Sequence, residues 1–437
     1  MKNDEITTGD LSPRWVYRRS LVIGSGFFTV ALIEPMYSAY IPLMLGDYLS
    51  TSASVGAVLS VLNLIAPLVI PLFSTLSDRT RTPLGKRMPY IVFFFPLAAF
   101  SLAVVPLAAH RSLVALVASL AAMNFFRHAA RGPVVSLMPD LIPPRHRSRA
   151  NGVINMMAGV AGMTSTVLLA PLIAVVVPLP GWGDLRRVLP FWIIALLILV
   201  STAFLFVKVR ETLEDSASGG DDRESPGIGA SLREIISAGS GGSLPVFLAV
   251  LCWFFAWMLV VPFLTTYARD HLGAGEAGAT LSYGMLAVSQ TLWAIPGGVL
   301  AVRWGRRRMM RLALVVLVLV GVGAWLNARR GADGSVGALL VFWVLLLLLG
   351  AAWVILTTNC LPLLWDMGGG RRLGLYTGLY YAASQTALVA GPVAGGLLVD
   401  TVGFQGLFLG FSLLMGAALA FLMLPRTGRE NIVRLSE

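Results

Sequence analysis

The stretch whose reading decides the fold is SDRTRTPLGKRMPY, Ser77 to Tyr90, which lies between two long apolar segments. One acid, Asp78, and four bases, Arg79, Arg81, Lys86 and Arg87, crowd into it. A chain that leaves a bilayer and re-enters it turns in water, and a basic turn marks the cytoplasmic side. A degraded copy, GVLAVRWGRR, spans Gly298 to Arg307; Arg303 matches Arg79, while Val302 stands where the acid belongs. A second repeat agrees: Asp140, Arg145 and Gly152 recur 226 residues later as Asp366, Arg371 and Gly378, against 224 residues from Asp78 to Val302. Two related turns half a chain apart imply one helical bundle present twice.

Composition gives the same reading. Hydrophobic residues make up 57% of the 437 and charged residues 13%, where a soluble domain averages about 25% charged. Apolar runs of 18 or more residues predict membrane-crossing helices. Twelve occur, at roughly 20–45, 53–76, 90–109, 112–138, 150–177, 188–208, 244–268, 278–301, 309–327, 336–360, 373–399 and 403–424. The first follows Arg18-Arg19 without a small-residue cleavage site and reads as a retained helix. The expected fold is an all-α membrane protein, twelve helices in two pseudo-symmetric bundles, 1–208 and 244–437, joined by a cytoplasmic linker at 209–243. Within that linker DSASGGDDRESPGIG, Asp215 to Gly229, has no apolar periodicity. The next segment, SLREIISA from Ser231 to Ala238, suits a short amphipathic helix on the inner membrane face.

The formal net charge of +11 invites a nucleic-acid reading, but its distribution is topological. With the N-terminus inside, only six of the 33 Lys and Arg fall in outer loops: Arg111, Arg186, Arg187, Arg269, Arg329 and Arg330. That bias predicts a multi-pass protein of the inner (plasma) membrane with both termini cytoplasmic. Its partners are then the lipid bilayer and a small solute, not nucleic acid, and a monomer is expected. Cys252 and Cys360 both sit in apolar runs, so neither a disulfide framework nor a metal site is indicated. The sequence has no hydrolase nucleophile motif and no phosphate-binding glycine loop in a βα setting, which argues against an enzyme.

The charged turns also have a mechanical reading. An acid at the end of the second helix can face another helix's positive N-terminus, while neighbouring bases bind carboxylates or lipid headgroups. Asp78, Arg79, Lys86 and Arg87, with Asp140, Arg149, Arg303 and Asp366, are therefore candidates for a cytoplasmic gate.

Charges inside the hydrocarbon mark function more sharply, since each costs about 2.5–3.5 kcal/mol at the bilayer centre on insertion scales. Of 22 acids, only Glu34 lies well inside a run; of the bases, only Arg127 and Arg131 do. Asn124, Arg127 and Arg131 share one face of the fourth helix by their spacing, and Glu34, Tyr37 and Ser38 share one of the first. Counted from the helix starts at 1.5 Å per residue, Glu34 and Arg127 reach about the same depth, some 20 Å from the inner face. They are the expected proton-coupling pair, with Tyr37 and Asn124 orienting the pair or the solute. His128, about 100° round the helix from Arg127, reads as a packed residue.

Flat rings stack on the apolar faces of sugars while amides bind the edges, so Trp253, Trp257, Gln290, Asn359, Tyr380 and Gln385 in the second half join Asn63, Asn124, Arg131 and Tyr37 as solute-binding candidates. Buried amides such as Asn63, Asn359 and Gln385 need partners where there is no water.

A family resemblance enters on these residues. The Asp-Arg pair followed by Gly-Lys-Arg at Asp78–Arg79 and Gly85–Arg87 resembles the loop between the second and third helices of major facilitator transporters. The five residues between Asp-Arg and the Gly, and the Pro after the basic run, resemble the sucrose:proton symporters and the glycoside-pentoside-hexuronide:cation symporters. ALIEPMYSAYIPLMLG, Ala31 to Gly46, is similar to the first helix of the sucrose-type branch, with Glu34 at a position often acidic there. RGPVVSLMPDLIPPRHRSRANGVIN, Arg131 to Asn155, resembles the fourth-to-fifth helix region of bacterial members. The resemblance implies proton-coupled uptake of a sugar or glycoside, a disaccharide above all, without a cofactor. The second helix, Ala53 to Leu76, lacks the acids that glycoside symporters use for sodium, which favours the proton. GPVAGG, Gly391 to Gly396, resembles the antiporter motif but lies in the eleventh helix, and 165–170 in the fifth reads STVLLA; close packing of small residues explains it. The alternatives are an exporter of small or lipid-like molecules on the same scaffold and a membrane sensor that does not transport.

Overall fold

The computed structural model describes residues 13–143, 146–179, 183–209, 243–330, 336–367 and 373–424; the side chains of 13, 147–149, 179, 243, 302, 365–367 and 373–376 are not among what it describes. Among these residues twelve helices are long and apolar enough to cross a membrane. They are α1 (Arg14–Gly46), α2 (Ser52–Arg79), α3 (Met88–Ala109), α4 (Leu113–Leu141), α5 (Ala150–Ala174), α6 (Val188–Lys208), α7 (Leu244–His271), α8 (Glu276–Ala301), α9 (Arg306–Arg329), α10 (Val336–Leu364), α11 (Thr377–Val402) and α12 (Phe404–Met423). Each matches one of the twelve apolar runs. The stretches Asp215 to Gly229 and Ser231 to Ala238 lie outside the described residues.

Local chemistry explains the ends and the irregularities. The Thr51 and Ser112 side chains accept the free backbone N–H of Ser54 and Ala115 and start α2 and α4. α2 is two segments, Ser52–Asn63 and Ile65–Arg79. Pro67 causes the break, because it cannot donate to the Asn63 carbonyl four residues back. α5 ends in a π turn, Thr164–Leu168, and a 3-10 turn, Ala170–Ala174, around Pro171. α1 starts well before the expected 20, at Arg14, since its first turns are amphipathic and need no hydrocarbon; the Arg19 guanidinium lies 5.3 Å over the Trp15 ring. A short hairpin, β1 (Val177–Leu179) with β2 (Gly183–Leu185), Val177 opposite Leu185, is an addition that hydropathy did not announce.

An even number of crossings returns the chain to its starting side, so both ends lie on one face, here called the terminal face; the opposite one is the distal face. Within the first half α3 packs on α4 and α6, α1 on α5 and α6, and α2 on α4. Within the second, α8 packs on α10, α7 on α11 and α12, and α9 on α10 and α12. The halves meet chiefly along two seams, α2 against α11 and α5 against α8. Glycine permits the first seam. A Cβ at Gly56 would sit 2.1 Å from the Pro392 carbonyl oxygen, and one at Gly396 would sit 2.3 Å from that of Ser52. GPVAGG is therefore a packing motif here.

Both contacts lie toward the distal ends of α2 and α11, which gives a test. Gly56→Val and Gly396→Leu are each expected to force the halves apart there, so that Thr51→Cys in either background reacts faster with a membrane-impermeant maleimide. Labelling as slow as in the Thr51→Cys parent, with folding intact, would show that the halves do not depend on this seam.

Candidate functional site

The centre of the molecule is an ion pair. Arg127 Nη1 lies 3.0 Å from Glu34 Oε2; the Arg127 side chain is buried, whereas that of Glu34 is 51% exposed. In α4 Arg127 is fourteen residues from either end, about 21 Å, and Glu34 is twelve residues, about 18 Å, from the distal end of α1. The depth match thus holds although α1 begins earlier than its hydropathy. The guanidinium lies 5.0 Å over the Tyr37 ring, and its Nε donates to His128 Nε2 at 3.3 Å. Tyr37 Oη, Asn124 Nδ2 and His128 Nδ1 are buried without a well-formed hydrogen bond, the first two lying beside each other. A polar atom left without a good partner in a dry interior costs stability, and here three such atoms lie beside one ion pair.

Side chains from the second half close on this centre. Tyr283 of α8 is within hydrogen-bonding reach of Ser38, one turn distal of Glu34, and senses the Glu34 charge. Tyr381 of α11 lies near Arg131, one turn toward the terminal face from Arg127. Exposure rises in the same direction. Tyr283 is 8% exposed, Tyr381 52%, and Arg131 is open. The gap between the halves is closed at Ser38–Tyr283 and open at Arg131–Tyr381.

The candidates of the second half assemble differently. Trp257 stacks flat on Trp353, centroids 3.9 Å apart, and Phe254 meets Trp353 and Tyr380 edge-on. Tyr380 in turn packs against Tyr381 at 5.5 Å, so an aromatic wall runs from α7 and α10 to the Arg131 side of the gap. Trp353 was not foreseen; its one signal was a tryptophan far from either end of an apolar run. Trp253 is buried with Nε1 unpartnered, Gln385 has a buried, unpartnered Oε1, and Gln290 is half-buried on α8. Asn359 turns back on its own helix, donating to the Ile355 carbonyl at 2.8 Å. Asn63 Nδ2 donates to the Leu388 carbonyl at 2.9 Å, tying the break in α2 to α11.

At the terminal face Arg87 is a hub. It is 4% exposed, pairs with Asp78, donates from Nε to Asp140 at 3.0 Å, and reaches Ser77 Oγ at 2.6 Å. Lys86 stands 4.0 Å from Asp140. The cluster ties α2, α3 and α4, three helices of one half. Arg79 and Arg303 are exposed; the Arg149 and Asp366 side chains lie outside the described residues.

The distal face carries a set that the sequence reading missed. Arg187 has a left-handed backbone, φ 64°, directly after the hairpin and is N-cap of α6. It pairs with Asp47 of its own half and, across the gap, with Glu276 at the start of α8, where Nε donates to Oε2 at 2.9 Å. Burial works against the Arg187 charge, but hydrogen bonds to Glu276 and Asp47 outweigh it and raise its proton affinity above the ordinary value. Arg269 of α7 stands 3.6 Å from Asp47 and donates to the Leu43 carbonyl at 3.4 Å. The Asp400 carboxylate accepts the backbone N–H of Ser52 and Ala53, at 2.7 and 2.8 Å, and so caps α2 from the other half. In the sequence these groups looked like the sparse charges of outer loops.

The sequence profile of the Major Facilitator Superfamily matches residues 23–364 and, in an overlapping second match, 246–436. The chain belongs to this superfamily. No curated protein sequence matches it. Among solved structures, the nucleoside transporter NupG superposes with a TM-score of 0.68 at 13% identity, covering 93% of this chain and 99% of that one. A bacterial homologue of the iron transporter ferroportin, in an inward-facing state, gives 0.68 at 15% identity, covering 96% and 100%. The likeness is one of fold: the protein is a membrane transporter of the major facilitator architecture.

The Arg87 hub generates a stability test. Removing one partner of a buried ion pair costs about 3–5 kcal/mol, whereas an exposed pair contributes about 0–1. The Asp78 side chain is 58% exposed and that of Asp140 16%. Arg87→Gln is therefore expected to lower the unfolding temperature in detergent well below wild type, and Asp78→Asn only slightly. Equal shifts from the two would remove Arg87 from its role as hub.

Proposed function

We propose that the protein is a proton-coupled symporter of a hydroxylated solute of the sugar or glycoside class, working by alternating access with its terminal face in the cytoplasm. The observation that carries this reading is the Glu34–Arg127 pair: a half-exposed carboxylate in mid-membrane, held by a buried guanidinium and flanked by orphaned polar atoms. The orientation is supported by the rarity of basic residues in the distal loops. The resemblance of Ala31 to Gly46 and of the Asp78 loop to sucrose-type symporters supports the solute class.

The cycle follows from electrostatics. An arginine partner favours ionised Glu34, and loss of that partner in a dry surround favours the protonated form. With the gap open to the terminal face, Glu34 is paired, charged and wet, the state after a proton has left. When the halves rock and the gap opens on the distal side, a proton and solute enter together. Closure removes water, and reopening to the cytoplasm returns Glu34 to Arg127 and releases both. The aromatic wall of Trp257, Trp353, Phe254 and Tyr380 lends ring faces to the solute, and Tyr37 and Asn124 its polar edges. The distal contacts of Arg187, Glu276 and Asp400 break and re-form once per cycle.

In proteoliposomes Glu34→Gln is expected to abolish accumulation of solute driven by a proton gradient while retaining exchange of labelled for unlabelled solute. A Glu34→Gln protein that still concentrates solute with wild-type proton dependence would remove Glu34 from the coupling step.

A further inference from the structure

We propose that the solute carries one negative charge, in the form of a carboxylate, and that Arg131 binds it; this rests on the reading of the central gap as the solute site. The argument begins with charge. Glu34 answers Arg127 at 3.0 Å. Arg131, four residues on and about 6 Å along the same helix, faces the open part of the gap and, among the described residues, has neither an ion-pair nor a hydrogen-bond partner. Its electrostatic neighbours are Glu34, already paired, the like charge of Arg127, and Tyr381. The described charges of the centre therefore leave one cation unanswered in mid-membrane.

A neutral sugar would satisfy the orphaned Tyr37 Oη, Asn124 Nδ2 and His128 Nδ1 and leave that cation as it was. Those three residues are 6%, 1% and 4% exposed and sit on the two helices that carry the pair. A carboxylate answers the cation, and a guanidinium receives it through two parallel N–H donors. A phosphate monoester carries close to two charges at neutral pH and exceeds the single charge available. The solute that fits is a hydroxylated acid: hydroxyls for the orphaned atoms, ring faces for the aromatic wall that ends at Tyr381, and a carboxylate for Arg131. Such an acid also supplies the coupling. Once its carboxylate lies between Arg131 and Arg127 it competes with Glu34 for the second guanidinium, and a displaced Glu34 takes up a proton that reaches it from solution through the water of the gap.

Binding to the full-length protein in detergent, by calorimetric titration without any proton gradient, tests this apart from transport. The probes are glucose, glucuronate and glucose 6-phosphate, with lactose and lactobionate as a larger neutral and acid pair. The acids are expected to bind at least tenfold more tightly than their neutral partners, and glucuronate more tightly than the phosphate ester. Arg131→Gln is expected to remove that tenfold preference, and Arg131→Lys to restore part of it. Neutral sugars binding as tightly as the acids, no acid binding at all, a preference for the phosphate ester, or an acid preference that survives in Arg131→Gln would each overturn the assignment. A Glu34→Gln protein that still couples solute to protons would leave these affinities as expected, so the two readings fail separately.

Discussion

A guanidinium away from bulk water must be answered by a carboxylate, and three arginines at three depths organise this molecule around that requirement. Arg87, near the terminal face, is answered by Asp78 and Asp140. Arg127, in mid-membrane, is answered by Glu34. Arg187, at the distal face, is answered by Asp47 and Glu276. The first hub holds helices of one half together, the second joins α1 to α4, and the third crosses between halves. Lipid gives apolar helix faces no reason to prefer one another over acyl chains, so these paired charges supply a directionality that the apolar faces cannot.

The seams between halves obey the opposite rule. Along α2 and α11 the approach is so close that Gly56 and Gly396 have no room for a methyl group. Backbone meets backbone, with Asn63 bonded to the Leu388 carbonyl and Asp400 capping α2. Contacts of this kind interlock few side chains, so they can part without repacking a core. Rigid halves and a smooth seam are what a rocking motion between two closed states requires.

Much of this was legible in the chain. Twelve apolar runs gave twelve helices, because hydrocarbon imposes length and composition so strictly that little else fits. The matching depth of Glu34 and Arg127 followed from counting residues, since a straight helix converts sequence distance into depth. What escaped was whatever depends on rotation and on the other half. Arg187 reads as an ordinary loop residue until the hairpin and its left-handed backbone aim it across the gap. Asp400 reads as a helix-end acid until α2 arrives beside it. Asn359 reads as a solute ligand, yet it bonds to its own helix, which spacing cannot reveal. The start of α1 escaped for another reason: its first turns are helical without being apolar, so hydropathy was silent there.

The placement of these pairs also bears on how the protein is made. Every partner of Arg87 and Arg127 named here lies before residue 209, so the first six helices can pair these two arginines while the rest is still being synthesised. Glu276 and Asp400 belong to the later half, so the Arg187 bridge and the cap on α2 form only when that half arrives. The first bundle thus secures Arg87 and Arg127 without help from the second. The contacts that commit it to its partner are the last to form, at the distal face.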